Sequence, residues 1–346
     1  MIHRGLGAVL VLLAGLGAVP AMAQITVLDQ AQDNVAPPAP VATPAAPPPI
    51  CGTQPLNIAA MGWPSAALLA NIHSRLLVAH FGCNVSVSPG DLAATGSSMA
   101  TTGQPAVAPE MWIGRIAEVW NSATTAQMVR PAAPTYTETV FEGWFTPGYL
   151  LAAHPELSSA AVLRDVAPTL NGGAKLRFIS CPIDWGCAVI NRNLIRALGL
   201  VDVLDVVEPA NRFEMDTLVA EAVSRQEPVL FYYWQPNAVL AQFSFLPLDL
   251  GPFNQEALTC LADRECAEPV ASSFAPETVV VALAEWVFTD TPSIAAYFQR
   301  SSLPLPEMNK LLAQLNEPGA SAAGVADRFV AERSDIWREW VGPAVP

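Results

Sequence analysis

Catalytic signatures are missing from this sequence of 346 residues. It contains no Gly-x-Ser-x-Gly, no His-Glu-x-x-His and no Gly-x-x-x-x-Gly-Lys-Ser motif, which mark serine hydrolases, zinc peptidases and P-loop nucleotide hydrolases. Histidine occurs only four times, and no Cys-x-x-Cys or Cys/His cluster has the spacing of a zinc site. We therefore expect a protein that is not an enzyme and that holds no metal or other cofactor.

Basic residues are also few. The 17 Lys and Arg residues are outnumbered by 31 Asp and Glu residues, which gives a formal net charge of −14 at pH 7. Nucleic acids and anionic membrane surfaces attract basic proteins, so neither is an expected partner. The acidity mildly favours a cationic ligand.

The N-terminal region is apolar at residues 6–19, just after Arg4. This run is shorter than the roughly 20 residues of a transmembrane helix. Ala21 and Ala23 then form the Ala-x-Ala pattern of a signal-peptidase site. We predict a cleaved signal peptide at residues 1–23 and a periplasmic location. Residues 24–55 are rich in Pro and Ala, and we predict a disordered leader there.

All six cysteines follow the apolar run. An even number of cysteines in an exported protein indicates disulfide bonds, although six cysteines allow many different pairings. Proximity in the sequence favours three pairs, which are Cys51–Cys83, Cys181–Cys187 and Cys260–Cys266.

Short apolar strands alternate with amphipathic helices from residue 56 onwards. This alternation predicts an α/β fold with mostly parallel sheets that are covered on both faces. The predicted strands are 56–60, 84–87, 137–141, 229–233 and 278–282, and the predicted helices are 65–81, 115–121, 185–198, 213–226, 293–299 and 308–315.

Nine tryptophans occur, and three of them lie in informative segments. Trp112 ends Pro-Glu-Met-Trp, Trp185 lies in Cys-Pro-Ile-Asp-Trp-Gly-Cys, and Trp234 lies in Phe-Tyr-Tyr-Trp-Gln-Pro. A helix that begins near Trp185 leaves the backbone N–H groups of Gly186 and Cys187 free to bind an anion. Trp234 ends a predicted strand, and open α/β sheets bind ligands at the carboxyl ends of their strands.

These segments, in this order, resemble the glycine betaine/proline betaine binding proteins of ABC importers. The resemblance also includes Gly-Trp-Phe-Thr-Pro-x-Tyr-Leu at 143–150, His-Pro-Glu-Leu at 154–157 and the ending Asp-Ile-Trp-Arg-Glu-Trp-Val at 335–341. It covers roughly residues 56–341 and implies a two-lobed periplasmic-binding-protein-like fold of type II, with the ligand in the cleft between the lobes.

The resemblance also implies the division of the chain. Lobe I is expected to contain residues 56–142 and 245–346, and lobe II residues 143–244. Hinge closure of the lobes on a solute then gives a form that a membrane permease recognises, with the ATPase of the importer on another chain. We expect this extracytoplasmic component to be a monomer.

The resemblance places a trimethylammonium group in a box of Trp112, Trp185 and Trp234, and a carboxylate at the backbone amides of Gly186 and Cys187. A quaternary ammonium has no N–H to donate, so indole faces must select it, at about 0.5–2 kcal/mol for each cation–π contact. The expected solute is glycine betaine or proline betaine. Choline, carnitine and an amino acid remain alternatives.

Other candidate residues are weaker. Asp184 lies in the disulfide loop, where it either caps the next helix or meets a cation or hydroxyl of the ligand. Arg115 follows Trp112 at a place where some relatives have another donor to the carboxylate. The remaining aromatic and acidic candidates are Trp63, Trp144, Tyr233, Asp91 and Glu110. For the two acidic residues, a capping or solvated position is the simpler interpretation.

Two rival functions belong to other classes. A secreted hydrolase on an α/β scaffold needs a nucleophile and a base within hydrogen-bond reach, and the sequence offers no obvious pair. An extracytoplasmic sensor domain is the second rival.

Overall fold

The computed structural model describes residues 49–342. The predicted signal peptide and the leader up to residue 48 lie outside the described residues. The described chain forms ten strands: β1 (Leu56–Met61), β2 (Val85–Gly90), β3 (Val107–Trp112), β4 (Val129–Pro134), β5 (Glu142–Pro147), β6 (Leu176–Ile179), β7 (Leu204–Val207), β8 (Val229–Trp234), β9 (Phe245–Pro247) and β10 (Val279–Ala284).

Fourteen α-helices cover these strands within the same residues. None of them is both long and apolar enough to cross a membrane. They are α1 (Pro64–Phe81), α2 (Leu92–Thr102), α3 (Ala117–Thr125), α4 (Gly148–Ala153), α5 (Leu163–Leu170), α6 (Gly186–Ala197), α7 (Arg212–Ser224), α8 (Val239–Gln242), α9 (Gln255–Leu261), α10 (Glu285–Asp290), α11 (Pro292–Phe298), α12 (Leu305–Gln314), α13 (Ala322–Glu332) and α14 (Ser334–Val341).

The strands form two five-stranded sheets with the same topology. Their orders are β2-β1-β3-β10-β4 and β7-β6-β8-β5-β9. In each sheet the first three strands are parallel, and the fourth strand runs antiparallel to both of its neighbours. We call the first sheet with its packed helices the first lobe, and the second sheet with its helices the second lobe.

The chain crosses between the lobes twice. The first crossing follows β4 and leads into β5, and the second follows Phe274, which still packs in the core of the second lobe, and leads into β10. The strand that follows each crossing becomes the antiparallel fourth strand of the sheet it enters. Residues 139–142 and 273–276 of the two crossing segments line a common pocket, so these segments run close to each other.

Local sequence explains the long first helix. Pro64 occupies the first turn of α1, where its missing N–H costs nothing, and Gly82 ends the helix with φ of 67°. Leu68, Leu69 and Ile72 are buried on its inner face, against the sheet of the first lobe. The fourth strand of this sheet, β10, is a continuous apolar run that is buried on both faces.

Two predictions from the sequence are wrong. The strand predicted at residues 137–141 does not form, because these residues belong to the first crossing, and the neighbouring strands are β4 and β5. We also expected the chain to return to the first lobe at residue 245. Instead, Phe245–Pro247 pairs with β5 in the second sheet and α9 packs on α6, so the return falls after Phe274.

The three predicted disulfide bonds are confirmed, as Cys51–Cys83, Cys181–Cys187 and Cys260–Cys266. The first ties the start of the described chain to the end of α1. The second closes the loop between β6 and α6, which carries Trp185. Each bond therefore anchors a connection rather than the centre of a sheet.

His73 is a titratable group inside the core of the first lobe. It lies on α1 with no exposed surface, and its Nδ1 is 2.7 Å from the hydroxyl of Tyr297. The rings of Phe298 and Trp340 pack around it at 5.1 and 5.6 Å between centroids. Burial lowers the pKa of His73 from 6.5 to about 3.

This burial predicts sensitivity to acid. The unfolded chain protonates His73 below pH 6.5, whereas the folded protein keeps it neutral down to about pH 3. The free energy of unfolding therefore falls as the pH decreases through this range, by about 1.4 kcal/mol per pH unit from this group. We expect His73→Phe to flatten that slope in urea denaturation measured from about pH 4 to about pH 7.

The matched control is His80→Phe, on the same helix but exposed. It should keep the slope of the wild type. An unchanged slope in His73→Phe would contradict the assignment to His73.

Candidate ligand-binding site

Four tryptophans lie where parallel strands end. Trp63 follows β1 by two residues, Trp112 is the last residue of β3, Trp185 is in the loop after β6, and Trp234 is the last residue of β8. The carboxyl ends of parallel strands form the edge at which open α/β sheets bind ligands. Two of these indoles come from each lobe.

All four indoles line one cavity of about 740 Å³ between the lobes. Both crossing segments also contribute to it, so its walls come from the lobes and its floor from the crossing segments. The other lining residues used below are Ser65, Arg115, Phe141, Glu142, Arg212, Tyr232 and Glu277.

The indoles of the second lobe stand next to each other. The ring centroids of Trp185 and Trp234 are 5.4 Å apart, with an interplanar angle of 57°. Trp185 is 37% exposed, so a large part of its face is available to a ligand. Across the cavity, Trp112 is nearly buried and packs edge-to-face on Phe141 at 4.9 Å.

A buried carboxyl group lies behind the wall of the first lobe. Glu110 has no exposed surface, and its Oε1 accepts hydrogen bonds from the Ser65 hydroxyl at 3.1 Å and from Trp112 Nε1 at 3.2 Å. Burial raises the pKa of Glu110 from 4.5 to about 7, and these hydrogen bonds oppose the rise only in part. The sequence interpretation of Glu110 as capping or solvated is wrong, because it lies inside β3 and orients an indole.

Arginine side chains already lie over two of the indoles. The guanidinium carbon of Arg115 is 4.5 Å from the ring centroid of Trp112, and that of Arg212 is 5.5 Å from Trp234. Arg115 also forms a two-pronged ion pair with Glu277, at 2.7 and 3.0 Å. This hydrogen-bonded pair raises the pKa of Arg115 above its ordinary value. These indoles can therefore stabilise a cation.

A second carboxylate belongs to the cavity floor. Glu142 begins β5, directly opposite Trp234 in the register with β8, and accepts a hydrogen bond from the Tyr232 hydroxyl. Burial raises the pKa of Glu142, and the hydrogen bond from Tyr232 opposes that rise. The cavity thus combines aromatic walls with carboxylates and arginines, an arrangement suited to a small ligand that carries a positive charge and a polar group.

Two of the candidate residues do not reach the cavity. Trp144 is fully buried in the core of the second lobe, where its Nε1 donates to Asn191 at 2.8 Å and its ring packs on Phe178. Tyr233 is also fully buried, and its hydroxyl donates to Asp216 of α7. Both expectations are wrong, because these side chains fill the second core.

The disulfide loop gives a mixed result. Gly186 begins α6, but neither Gly186 nor Cys187 is among the residues that line the cavity in this arrangement. Asp184 is exposed, is not a lining residue either, and does not cap α6 through its side chain. Asp91, by contrast, caps α2 by accepting hydrogen bonds from two backbone N–H groups, as the sequence indicates.

Sequence reasoning missed several residues of the cavity. Phe141 and Glu142 were missed because a strand was wrongly predicted at 137–141. Glu277 was also missed; it lies two residues before β10, in the second crossing. Arg212 immediately precedes the helix predicted at 213–226, and Tyr232 is next to the candidate residue Tyr233. The alternation of side chains along β8 could have identified Tyr232. It lies two residues before Trp234, and residues two apart in a strand are on the same face of the sheet.

Within residues 49–342, no group of three or more His, Cys, Asp or Glu side chains is arranged to hold a metal ion.

The fold agrees with comparisons to known proteins. Residues 54–332 match the family model OpuAC, described as the substrate binding domain of ABC-type glycine betaine transport system. No curated protein matches the chain in sequence.

Solved structures have the same fold. Apo YehZ from Escherichia coli is 14% identical with a TM-score of 0.57, over 81% of this chain and 99% of that chain. A glycine betaine/carnitine/choline ABC transporter structure is 10% identical with a TM-score of 0.52, over 82% and 99%. At these identities the likeness concerns the fold alone.

The predicted two-lobed α/β fold is confirmed by this agreement. Because the family match covers most of the sequence, the chain belongs to the family of substrate-binding domains of ABC-type glycine betaine transport systems, which are solute-binding proteins and not enzymes.

Proposed function

We propose that this protein is the periplasmic component of an ABC importer and that it holds a quaternary ammonium solute in a cage of Trp112, Trp185 and Trp234. One observation carries the proposal: indoles from both lobes line a single cavity. A quaternary ammonium offers no N–H group, so aromatic faces are the side-chain surfaces that can attract it specifically. Trp63 lines the same cavity and is a fourth possible wall.

Closure of the lobes completes the site. A cavity of about 740 Å³ is far larger than a solute of eight or so heavy atoms, so the lobes have room to close around it. A ligand shifts an equilibrium only through contacts that differ between two states. Trp112 on one lobe and Trp185 with Trp234 on the other supply such contacts on closure. The permease and ATPase of the importer are the partners of the closed form.

Glycine betaine or proline betaine is the first candidate ligand. Its carboxylate needs donors, and the free N–H groups at the start of α6, at Gly186 and Cys187, can provide them once closure brings the loop inward. Arg115 and Arg212 line the cavity and are alternative donors.

Choline is the second candidate, because Glu142 and Glu277 both line the cavity. A carboxylate accepts a hydrogen bond from the choline hydroxyl but repels the carboxylate of a betaine. Glu277 is already paired with Arg115, so Glu142 is the better acceptor.

The cage predicts the effect of removing one indole. We expect Trp185→Ala to weaken binding of glycine betaine or choline by about tenfold or more, since it removes a cation–π contact and leaves the cage open. Calorimetric titration measures this loss. Trp185 is partly exposed, so its removal should leave the melting temperature close to that of the wild type.

Trp337→Ala is the control for that variant. Trp337 is a half-buried indole on α14 that donates to Val330 and does not line the cavity. It should retain wild-type affinity. If neither solute, nor proline betaine or carnitine, binds the folded wild type, the proposed function is wrong.

The polar end of the ligand can be identified with Glu142→Gln. A hydrogen bond to a carboxylate contributes more than one to an amide, so choline affinity should fall by about tenfold. Glycine betaine affinity should fall less, or rise, because a like charge has been removed. Equal losses for both ligands in parallel titrations would exclude a direct contact between Glu142 and the polar end.

Lobe closure on the ligand can be tested separately from affinity. Small-angle X-ray scattering should show a decrease in the radius of gyration when saturating ligand is added, because the lobes approach each other. Trp185→Ala with the same ligand concentration should show a smaller decrease. An unchanged radius in the liganded wild type would contradict the hinge.

A further inference from the structure

Glu110 lies immediately behind the ligand cavity. Trp63, Ser65 and Trp112 all line the cavity, and Ser65 and Trp112 donate hydrogen bonds to Oε1 of this buried carboxyl group. The carboxyl group is therefore in direct contact with side chains that form the cavity wall. Neither the cage nor lobe closure makes use of its charge.

The surroundings of Glu110 are suited to a negative charge. Besides its two donors, Nε1 of Trp63 and the hydroxyl of Tyr136 face the carboxyl group. Within the described residues, Glu110 Oε2 and these two groups are buried without a hydrogen-bond partner. An ionised carboxylate accepts several hydrogen bonds, so small movements would satisfy all of them. The donors that solvate the charge are thus already in place.

Little else near Glu110 carries charge. The adjacent strands β1 and β10 contain no titratable residue, and α1 contributes Ser65 to this cluster. Tyr136 faces the carboxyl group from the first crossing, and burial with the nearby Glu110 charge raises the pKa of this phenol, which stays neutral. Arg115 is the nearby cation, but it is paired with Glu277. Among residues 49–342, Glu110 therefore has no committed counter-ion.

We propose that Glu110 is the buried counter-charge for the cationic group of the ligand, and that ligand binding is coupled to the loss of a proton from Glu110. This inference rests on the proposed function, since it requires a cation in the cavity. A cation against Trp112 favours the ionised carboxylate through the water-poor wall. Protonated Glu110 gives its proton to solvent, and the bound state holds a carboxylate opposite the ammonium.

The sign of the pH dependence follows from this coupling. The free protein holds the proton up to a pKa of about 7, and a bound cation lowers that pKa. Because the bound state carries fewer protons, affinity increases with pH up to that value. A quaternary ammonium does not titrate, so the ligand itself contributes no such slope.

Titration with choline and with glycine betaine tests the coupling. We expect wild-type affinity for choline to increase about tenfold from about pH 5.5 to about pH 8.5, which corresponds to a pKa lowered by one unit on binding. The increase should be smaller for glycine betaine, whose own carboxylate offsets its cation. Calorimetry near pH 7 in buffers of different ionisation enthalpy should show protons released on binding.

Glu110→Gln separates this role from a structural one. The amide keeps the shape and can accept the hydrogen bonds of Ser65 and Trp112, but it cannot ionise. The variant should bind choline with the wild-type affinity found at low pH, show no pH slope and release no proton. A merely structural role predicts weaker binding at every pH together with an unchanged slope.

Glu142→Gln is the comparison variant, since Glu142 is the other buried carboxyl group at the cavity whose pKa is raised. It should keep the slope, whatever its absolute affinity. A slope that survives in Glu110→Gln or vanishes in Glu142→Gln would overturn the inference while leaving the proposed function intact. Binding of neither ligand at any pH would overturn both.

Discussion

The double crossing of the chain is the constraint on which this site depends. Each crossing segment enters the opposite sheet as an antiparallel strand inserted beside the last parallel strand, β10 beside β3 and β5 beside β8. As a result, Glu277 pairs with the Arg115 side chain that lies over Trp112, and Glu142 lies opposite Trp234. The floor of the cavity consists of these two crossing segments. Any contact between a ligand and the floor is therefore also a contact with the two segments that join the lobes.

The walls follow from the parallel strands. Residues deeper in β3 and β8 are buried, and each strand ends in an indole whose ring meets the cavity. Leaving such large apolar groups at a cavity keeps apolar surface in contact with water, at about 25 cal/mol for each Å². A ligand that covers this surface recovers that free energy. The arginines over Trp112 and Trp234 indicate that these rings attract cations even before a ligand arrives.

Some residues of the cavity could be predicted from local sequence, and others could not. Trp234 was identifiable because the end of its strand is a local property of the sequence. Trp112 was identified only through the resemblance of its segment to a known family, since the strand that it ends, β3, was not predicted. Tyr233 was a wrong candidate for an equally local reason. Its neighbours Tyr232 and Trp234 line the cavity, so Tyr233 lies on the opposite face of the sheet, where its hydroxyl donates to Asp216 of α7. Glu142, Arg212 and Glu277 line the same cavity because the chain crosses twice between the lobes. The spacing of these residues in the sequence does not reveal those crossings.

Glu110 shows how the wall and the core are linked. Every other residue of β3 is apolar, and burying a carboxyl group there costs free energy that an apolar side chain of similar volume would avoid. The pKa of about 7 reflects that cost. In return, the carboxyl group fixes Trp112 by a hydrogen bond that no apolar residue can make. A cage that binds through ring faces depends on ring orientation, so an unfavourable core residue is acceptable where it sets that orientation. The same burial that makes Glu110 costly in the free protein keeps its charge unscreened, which is the condition under which a counter-charge acts across an indole wall.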